Sequence, residues 1–447
     1  MTGNDTHEPN RGTVPSSYLR QFITGASGES FSQAVTIVTQ LVLVPALLLL
    51  WGQERLGIWL ILSAVPTYLT LGDLGLTSIF GNEITARRLS GDSHGATIAV
   101  HSSWYTTRII TVCAMGLSVV LTLVAPSITP HVQGISEMEI RGAMLLLCLA
   151  VCVTLAQGTV GASMRVMGLA GVMSGVNALA RLAENIALLA AALFSHSLAL
   201  AALAMLVSRT LVLVVARGVF LHQNPAFKPA TGLASRKLIW RLMPASAGYF
   251  SFTFGNAALI QLPTLIIGNL LSPTAVVVFT AARTLSRMGR MLVSIVNNAI
   301  DPIFTQLAGR NSDDLQRTTH MHRRGIFWFG ALYLVVAGLV GPTVLSVWSH
   351  GVTIGHDTVY YFMLLASVLE IFWFTIQVPY ISINQHYVFG WVYFALSLAS
   401  AAGIFVLIPA FGLVGAAFCI AVSHGLFLIY TLFRVRSHPV RLEPTKI

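Results

Sequence analysis

The sequence predicts an all-α integral membrane protein of about twelve transmembrane helices, in two six-helix lobes related by a parallel pseudo-two-fold. Three observations carry that expectation. Only 9% of the 447 residues are charged, against about 25% in a soluble domain. Hydrophobic residues make up 55% of the chain, and mean hydropathy is +0.76. Apolar windows of about 20 residues, enough to cross a bilayer as a helix, recur along the chain. Strands are excluded, because the runs are too long and lack period-two alternation.

In order, the windows are 29–50, 57–79, 98–124, 142–163, 174–194, 197–217, 244–267, 275–300, 325–348, 358–381, 387–409 and 412–433. A polar tail, 1–28, precedes them; the segment after it is too long and too polar for a cleavable signal, so the tail is expected to be retained. The polar stretch 218–243 is read as a cytoplasmic linker between an N-lobe (29–217, spans 1–6) and a C-lobe (244–433, spans 7–12), with a basic tail at 434–447.

Positive charge sets the orientation. One side receives Arg11, Arg20, Arg87, Arg88, Arg165, Arg217, Lys228, Arg236, Lys237, Arg241, Arg310, Arg317, Arg323, Arg324, Arg434, Arg436, Arg441 and Lys446. The other receives only Arg55 and Arg141. Both termini are therefore expected in the cytoplasm, in a multi-pass protein of the cell (inner) membrane. The same asymmetry argues against nucleic acid as the partner of the +10 net charge. Cys113, Cys148, Cys152 and Cys419 all fall in apolar segments with no metal-ligand spacing, and read as small buried hydrophobes. No HExxH, Walker loop or nucleophile elbow is present, so no catalytic residue, metal or cofactor is expected.

The halves share features. Pro45 in "VPALLLLWGQERLGIW" and Pro263 in "LPTLIIGNLLSPTAVV" hold matching places, and each second span leads to a short basic loop with a Gly. Six spans per half means both halves enter the membrane the same way, which implies a parallel repeat.

The eighth span, read as a single helix nearly 40 Å long, carries the most unusual chemistry. At 100° per residue, Arg283, Arg287, Arg290, Ser294, Asn297 and Asp301 share one face. A mid-membrane Arg costs about 2.5–3.5 kcal/mol on insertion scales. Three on one face must line water or pair with buried acids. The mid-span cations are these three plus Arg108, Arg181 and Arg209; the clear mid-span acids are Asp73, Glu184 and Glu370, with Glu29 and Asp301 near helix ends. Arg181 and Glu184, one turn apart, are expected to pair locally. Cations still outnumber acids, and guanidinium stays charged when partly desolvated and grips phosphate with two parallel bonds. The implied guest is an anion such as a phosphate or diphosphate. Polar stripes on other spans (Glu29, Gln33, Thr36 and Gln40; His101, Tyr105 and Arg108; Asn177, Arg181 and Glu184; Glu370, Trp373 and Gln377) suit either a sugar or interhelical bonding.

The block "ERLGIWLILSAVPTYLTLGDLGLTSIFGNEITARRLSGD" (Glu54–Asp92) resembles the polysaccharide flippases of the Wzx (O-antigen) type, with Leu71–Leu76 as its "LGDLGL" turn. "NLLSPTAVVVFTAARTLSRMGRML" (Asn269–Leu292) and "FGLVGAA" (Phe411–Ala417) are similar to later segments of that family. The resemblance implies a fold of the multidrug/oligosaccharidyl-lipid/polysaccharide exporter superfamily. It also implies flipping of a polyprenyl-diphosphate-linked oligosaccharide to the outer leaflet, for cell-surface polysaccharide biosynthesis. Such a protein is no enzyme. Its partners would be the anionic lipid-linked glycan, membrane lipids, and a polysaccharide polymerase or glycosyltransferases.

The expected substrate-binding residues are Arg283, Arg287, Arg290, Asn297, Arg108, Arg181, Arg209, Tyr105, Gln33 and Gln40. Asp73, Glu29, Glu184 and Glu370 are the candidates for coupling to H⁺ or Na⁺. Rival readings are a multidrug or cation antiporter of the same superfamily, which calls for an acid-dominated cavity, and a lipid II flippase, which differs only in the sugar. A membrane glycan polymerase or ligase would need a large external loop, whereas the longest here is Ala125–Arg141.

Overall fold

The chain is described by a computed structural model over residues 16–228, 233–308, 312–382 and 387–437. Among these residues it forms thirteen α-helices and two short 3-10 helices, with no strand. Nine helical stretches are long and apolar enough to cross a membrane. Two of the nine are each a pair of antiparallel helices. Ser16–Ala64 reverses at Gly52 (φ 73°) and Tyr387–Ser437 at Gly412 (φ 54°), left-handed turns that a side chain would strain. Contacts across the turns prove the reversal. A Cβ on Gly415 would lie 3.0 Å from Leu407 Cβ, although eight residues of straight helix span about 12 Å. The Trp51 and Trp59 rings, also eight residues apart, stand 5.6 Å from each other. Pro273–Ser286 and Met288–Ala308 together supply one more crossing. Nine stretches, two of them double, and this broken helix make twelve spans.

The other spans are Ser93–Ile128, Glu137–Ala156 continued by Gly158–Val166, Ala170–Phe194, Leu198–Gln223, Arg236–Leu270, Ser312–Trp348 and Asp357–Ser382. Long apolar side chains such as Val119 and Leu123 on the third span and Leu339 and Val347 on the ninth stay exposed on the rim, as a lipid-facing belt requires.

The second span is not one regular helix. After 53–64 it narrows into a 3-10 turn over Pro66–Asp73, and Leu74 (φ 50°) and Gly75 (φ 73°) are left-handed before Leu76–Leu89 resumes. The "LGDLGL" block is this break. Asp73 Oδ1 accepts from the Thr77 backbone N–H at 3.3 Å and from the Thr77 hydroxyl, which ties the break to the next helix.

The segment 218–243, read as a linker, is largely helical. The sixth span continues to Gln223, and the seventh begins at Arg236, capped by Ser235 Oγ. Polar composition does not break a helix that has one apolar edge. Leu238 and Leu242 bury that edge against Ile79, Phe80 and Trp104 of the N-lobe.

Arg55, from the sparse set of loop charges, and Arg87 and Arg241, from the dense set, lie at opposite ends of the described bundle. Arg55 is bonded to Glu139, to the Gly134 carbonyl at 3.0 Å and to the His196 carbonyl. Arg87 and Arg241 share Glu83 at the opposite end. The arginine-poor end, which the charge rule places outside, is called the outer end below. There the lobes meet. Leu56, Ile58 and Ile61 of the second span join Val276, Val277 and Phe279 of the eighth in one buried cluster.

One inter-lobe bond has a covalent cause. Pro45 has no N–H, so the Leu41 carbonyl one turn earlier loses its helical donor. Trp348, at the end of the ninth span, fills the vacancy, donating Nε1–H to Leu41 O at 2.7 Å. Trp348→Phe leaves that carbonyl bare, at a cost of about 1–2 kcal/mol. The outer seam is then expected to open more often, seen as a longer-distance population between spin labels at Gln53 and His350, which face each other across it.

Candidate functional site

The arginine stripe lies inside the C-lobe, on a helix that is interrupted within the stripe. Pro273–Ser286 ends at Arg287 (φ −88°, ψ 1°) and Met288–Ala308 continues, so the eighth span is two helices rather than the one expected. The ladder survives the joint, since Arg287 N donates to Arg283 O and Met291 N to Arg287 O. Arg283, Arg287 and Arg290 therefore keep a common face.

That face is not an open wall of unpaired cations. Glu370, on the tenth span and 3% exposed, stands against it. Its Oε1 accepts from Arg287 Nη2 at 2.8 Å and from Arg290 Nε at 3.1 Å. Arg290 also lies 4.5 Å over the Phe374 ring. Both guanidinium side chains keep about a quarter of their surface, 23% and 25%. One carboxylate between two arginines offsets one charge and leaves one.

Arg283 has no carboxylate contact among the described residues. Its Nη1 donates to the Ile260 carbonyl of the seventh span. It also packs 5.6 Å over the Phe279 ring. The cluster thus carries three guanidiniums, one carboxylate and a net positive charge. Arg283, Arg287, Glu370, Asn256, Tyr393 and His424 border a hollow of about 20 Å³, room for one water molecule.

The remaining sequence candidates scatter. Asn297, expected beside the arginines, is 1% exposed and bonded to His322 Nε2 at 2.9 Å and to Thr375 Oγ1 at 3.4 Å. It knits three C-lobe helices together. Arg181 attracts Glu184 electrostatically, as the one-turn spacing suggested, but the close contact of Glu184 is with Arg209. Glu184 Oε1 lies 2.8 Å from Arg209 Nε, an ion pair by proximity rather than an aligned bond, and Arg181 donates to Thr36 Oγ1 on the first span.

Arg108 is exposed along the flank that carries Val112 and Met115 and does not border the hollow of the C-lobe cluster, and Tyr105 is half-buried one turn away. Gln33 and Gln40 are half-buried on the first span. The side chains of Glu29 and Asp301 lie outside the described residues. No group of three His, Cys, Asp or Glu side chains capable of holding a metal occurs among the described residues.

Sequence reasoning missed His424 and Tyr393. His424 Nδ1 accepts from Trp373 Nε1 at 3.0 Å, and His424 and Tyr393 border the hollow beside Glu370. The signal was available, as a lone histidine in the middle of the twelfth span.

No protein-family model matches the chain, and no curated protein matches it significantly. Solved structures do match. An inward-facing multidrug resistance MATE family transporter of the MOP superfamily superposes with a TM-score of 0.67 at 15% identity, over 92% of this chain and 100% of that one. The lipid II flippase MurJ, inward closed, gives 0.70 at 11% identity, over 93% and 88%. It shares their fold. An outward-facing multidrug resistance MATE family transporter scores 0.57 at 16% identity, over 98% of each chain. The architecture common to them is the all-helical, two-lobe arrangement of twelve spans.

Proposed function

We propose that this protein is a flippase. It carries a polyprenyl-diphosphate-linked oligosaccharide from the cytoplasmic to the outer leaflet by alternating access, and catalyses no covalent chemistry. The observation that carries this reading is the membrane-embedded cluster of Arg283, Arg287 and Arg290 around the single carboxylate of Glu370. A net positive charge inside a low-dielectric bundle is expensive unless an anion completes it. A diphosphate does so with charge-assisted, two-pronged bonds to guanidinium.

Glu370 fits the cycle as the resident counter-ion. In the empty protein it holds Arg287 and Arg290; when the lobes admit a head group, the diphosphate takes over those donors. Afterwards Glu370 competes for them, which favours release. The water-sized hollow at the cluster means that lobe motion must widen it before a sugar can follow. Outer-end closure, with better superposition on inward than on outward relatives, suits a state that awaits its substrate from the cytoplasm.

Among the three acids proposed for H⁺ or Na⁺ coupling whose side chains are described, Glu370 is best placed, because neutralising it frees two arginines at once. Asp73 serves the helix break of the second span, and Glu184 is taken up by Arg209. An antiporter of cationic drugs is disfavoured by the sign of the cluster. A lipid II flippase would use the same arginines and differ in what surrounds the sugar.

Arg283→Gln tests the reading in cells. It removes the cation without a carboxylate partner, so no buried acid is stranded. Surface glycan is expected to fall at least tenfold at unchanged protein level, since a lost charge-assisted bond is worth about 1.5–3 kcal/mol. Undiminished export refutes the assignment.

A further inference from the structure

A second cationic hollow lies away from the arginine stripe, between the ninth, tenth and twelfth spans near the basic end of the bundle. It encloses about 320 Å³. Its apolar lining includes Phe327 of the ninth span, Phe372 of the tenth and Leu432 of the twelfth. The Phe327 and Phe372 rings stack at 5.5 Å, and Phe327 and Leu432 remain 53% and 42% exposed, so the hollow opens on the lipid-facing rim.

Two arginines complete the lining, Arg323 and Arg436. Each is one helical turn closer to the basic end than an apolar liner on its own helix, Arg323 beyond Phe327 and Arg436 beyond Leu432. Neither is paired with a carboxylate among the described residues. Arg323 is anchored through one nitrogen, with Nη2 donating to the Ile376 carbonyl at 3.2 Å. Its Nε is buried and has no partner. A buried guanidinium donor left unused is costly, and an acceptor is the missing component.

We propose that this hollow is a binding site for one anionic phospholipid. The phosphodiester bonds Arg323 and Arg436, and an acyl chain runs along Phe327, Phe372 and Leu432. The layout, with cations toward the membrane surface and an aromatic wall deeper, matches the amphiphile from phosphate to tail. Free phosphate would leave the apolar wall bare. A zwitterionic lipid would bring its own cation against two guanidiniums. The site is independent of the Arg283–Glu370 cluster and stands whether or not that cluster binds a diphosphate.

Native mass spectrometry of the full purified chain, titrated with phosphatidylglycerol, phosphatidylcholine, polyprenyl diphosphate or inorganic phosphate, tests it. One phosphatidylglycerol molecule is expected to survive release from detergent, with phosphatidylcholine bound at least tenfold more weakly. Arg323→Gln/Arg436→Gln should reduce phosphatidylglycerol retention about tenfold, on the basis of the attraction of a basic side chain for anionic lipid. Arg436→Gln alone, at an exposed helix end, should still lower it if the double variant folds poorly. Arg324→Gln, exposed and outside the lining, should leave it unchanged. Equal retention of the two phospholipids, loss equal in Arg324→Gln, equal binding of inorganic phosphate, or displacement by equimolar polyprenyl diphosphate would each overturn the proposal.

Discussion

Glu370→Gln is expected to destabilise the folded protein by about 3 kcal/mol, the low end of what breaking a buried ion pair costs. The carboxylate is 4% exposed and accepts from both Arg287 and Arg290. Removing it leaves two guanidiniums facing each other in the bundle with no compensating charge. The lower figure is chosen because each arginine keeps about a quarter of its surface and is partly screened. Thermal unfolding of the purified protein in detergent reads the loss. Adding Arg287→Gln and Arg290→Gln to the same chain should recover much of the stability, because the two guanidiniums that Glu370 held are then neutral as well and only Arg283 keeps its charge. Recovery of stability without recovery of transport would separate the two roles of the cluster. An unchanged midpoint for Glu370→Gln would mean that the pair contributes nothing to holding the tenth span against the eighth.

Gly57→Leu should have the largest effect on the conformational cycle. Gly57 lies at the outer start of the second span, and a Cβ there would fall inside contact distance of the Pro273 backbone, at the start of the eighth. Backbone cannot swing aside as a side chain end does, so the two lobes must separate to accept the new residue. The same seam holds Ile61 against Gly268 and Trp348 against the carbonyl that Pro45 leaves free. Spin labels at Gln53 and His350 should report a single longer distance in Gly57→Leu, where Trp348→Phe gives only a shifted mixture. Transport should stop, because a protein unable to close outside cannot load from inside. A short distance retained in Gly57→Leu would show that the outer seam closes without this contact.

Much of the fold was legible because it rests on a single physical quantity. Low charge and apolar windows of membrane length give the spans, and the loop arginines give the two ends, with Arg55 beside Glu139 and Arg87 beside Arg241 through Glu83. Breaks within spans were harder to read. Hydropathy does not register the 3-10 turn over Pro66–Asp73 or the joint at Arg287, since neither changes how apolar the window is. The "LGDLGL" block is visible in the sequence as a motif; its physical role, two successive left-handed residues ending a helix turn, depends on dihedral angles that composition does not encode.

The arginine cluster shows the same division. Helical periodicity placed Arg283, Arg287 and Arg290 on one face. It could not show that Glu370, eighty residues further along, would stand between two of them, because that depends on how the tenth span packs on the eighth. Nor could it choose Arg209 over Arg181 as the partner of Glu184, or send Asn297 to His322 rather than to the hollow. The excess of mid-span cations over acids is a property of the sequence, and it did not reveal that Glu370 pairs with two of the three arginines.

Flipping of a diphosphate-linked glycan requires the Arg283–Arg287–Arg290 cluster to receive the diphosphate. Isothermal titration of the purified protein with polyprenyl diphosphate in detergent measures that directly. The native protein should bind one equivalent, and Arg283→Gln should bind about tenfold to a hundredfold more weakly, the value of one charge-assisted bond. Equal affinity in the two proteins, or binding of a lipophilic cation in place of the diphosphate, would contradict it.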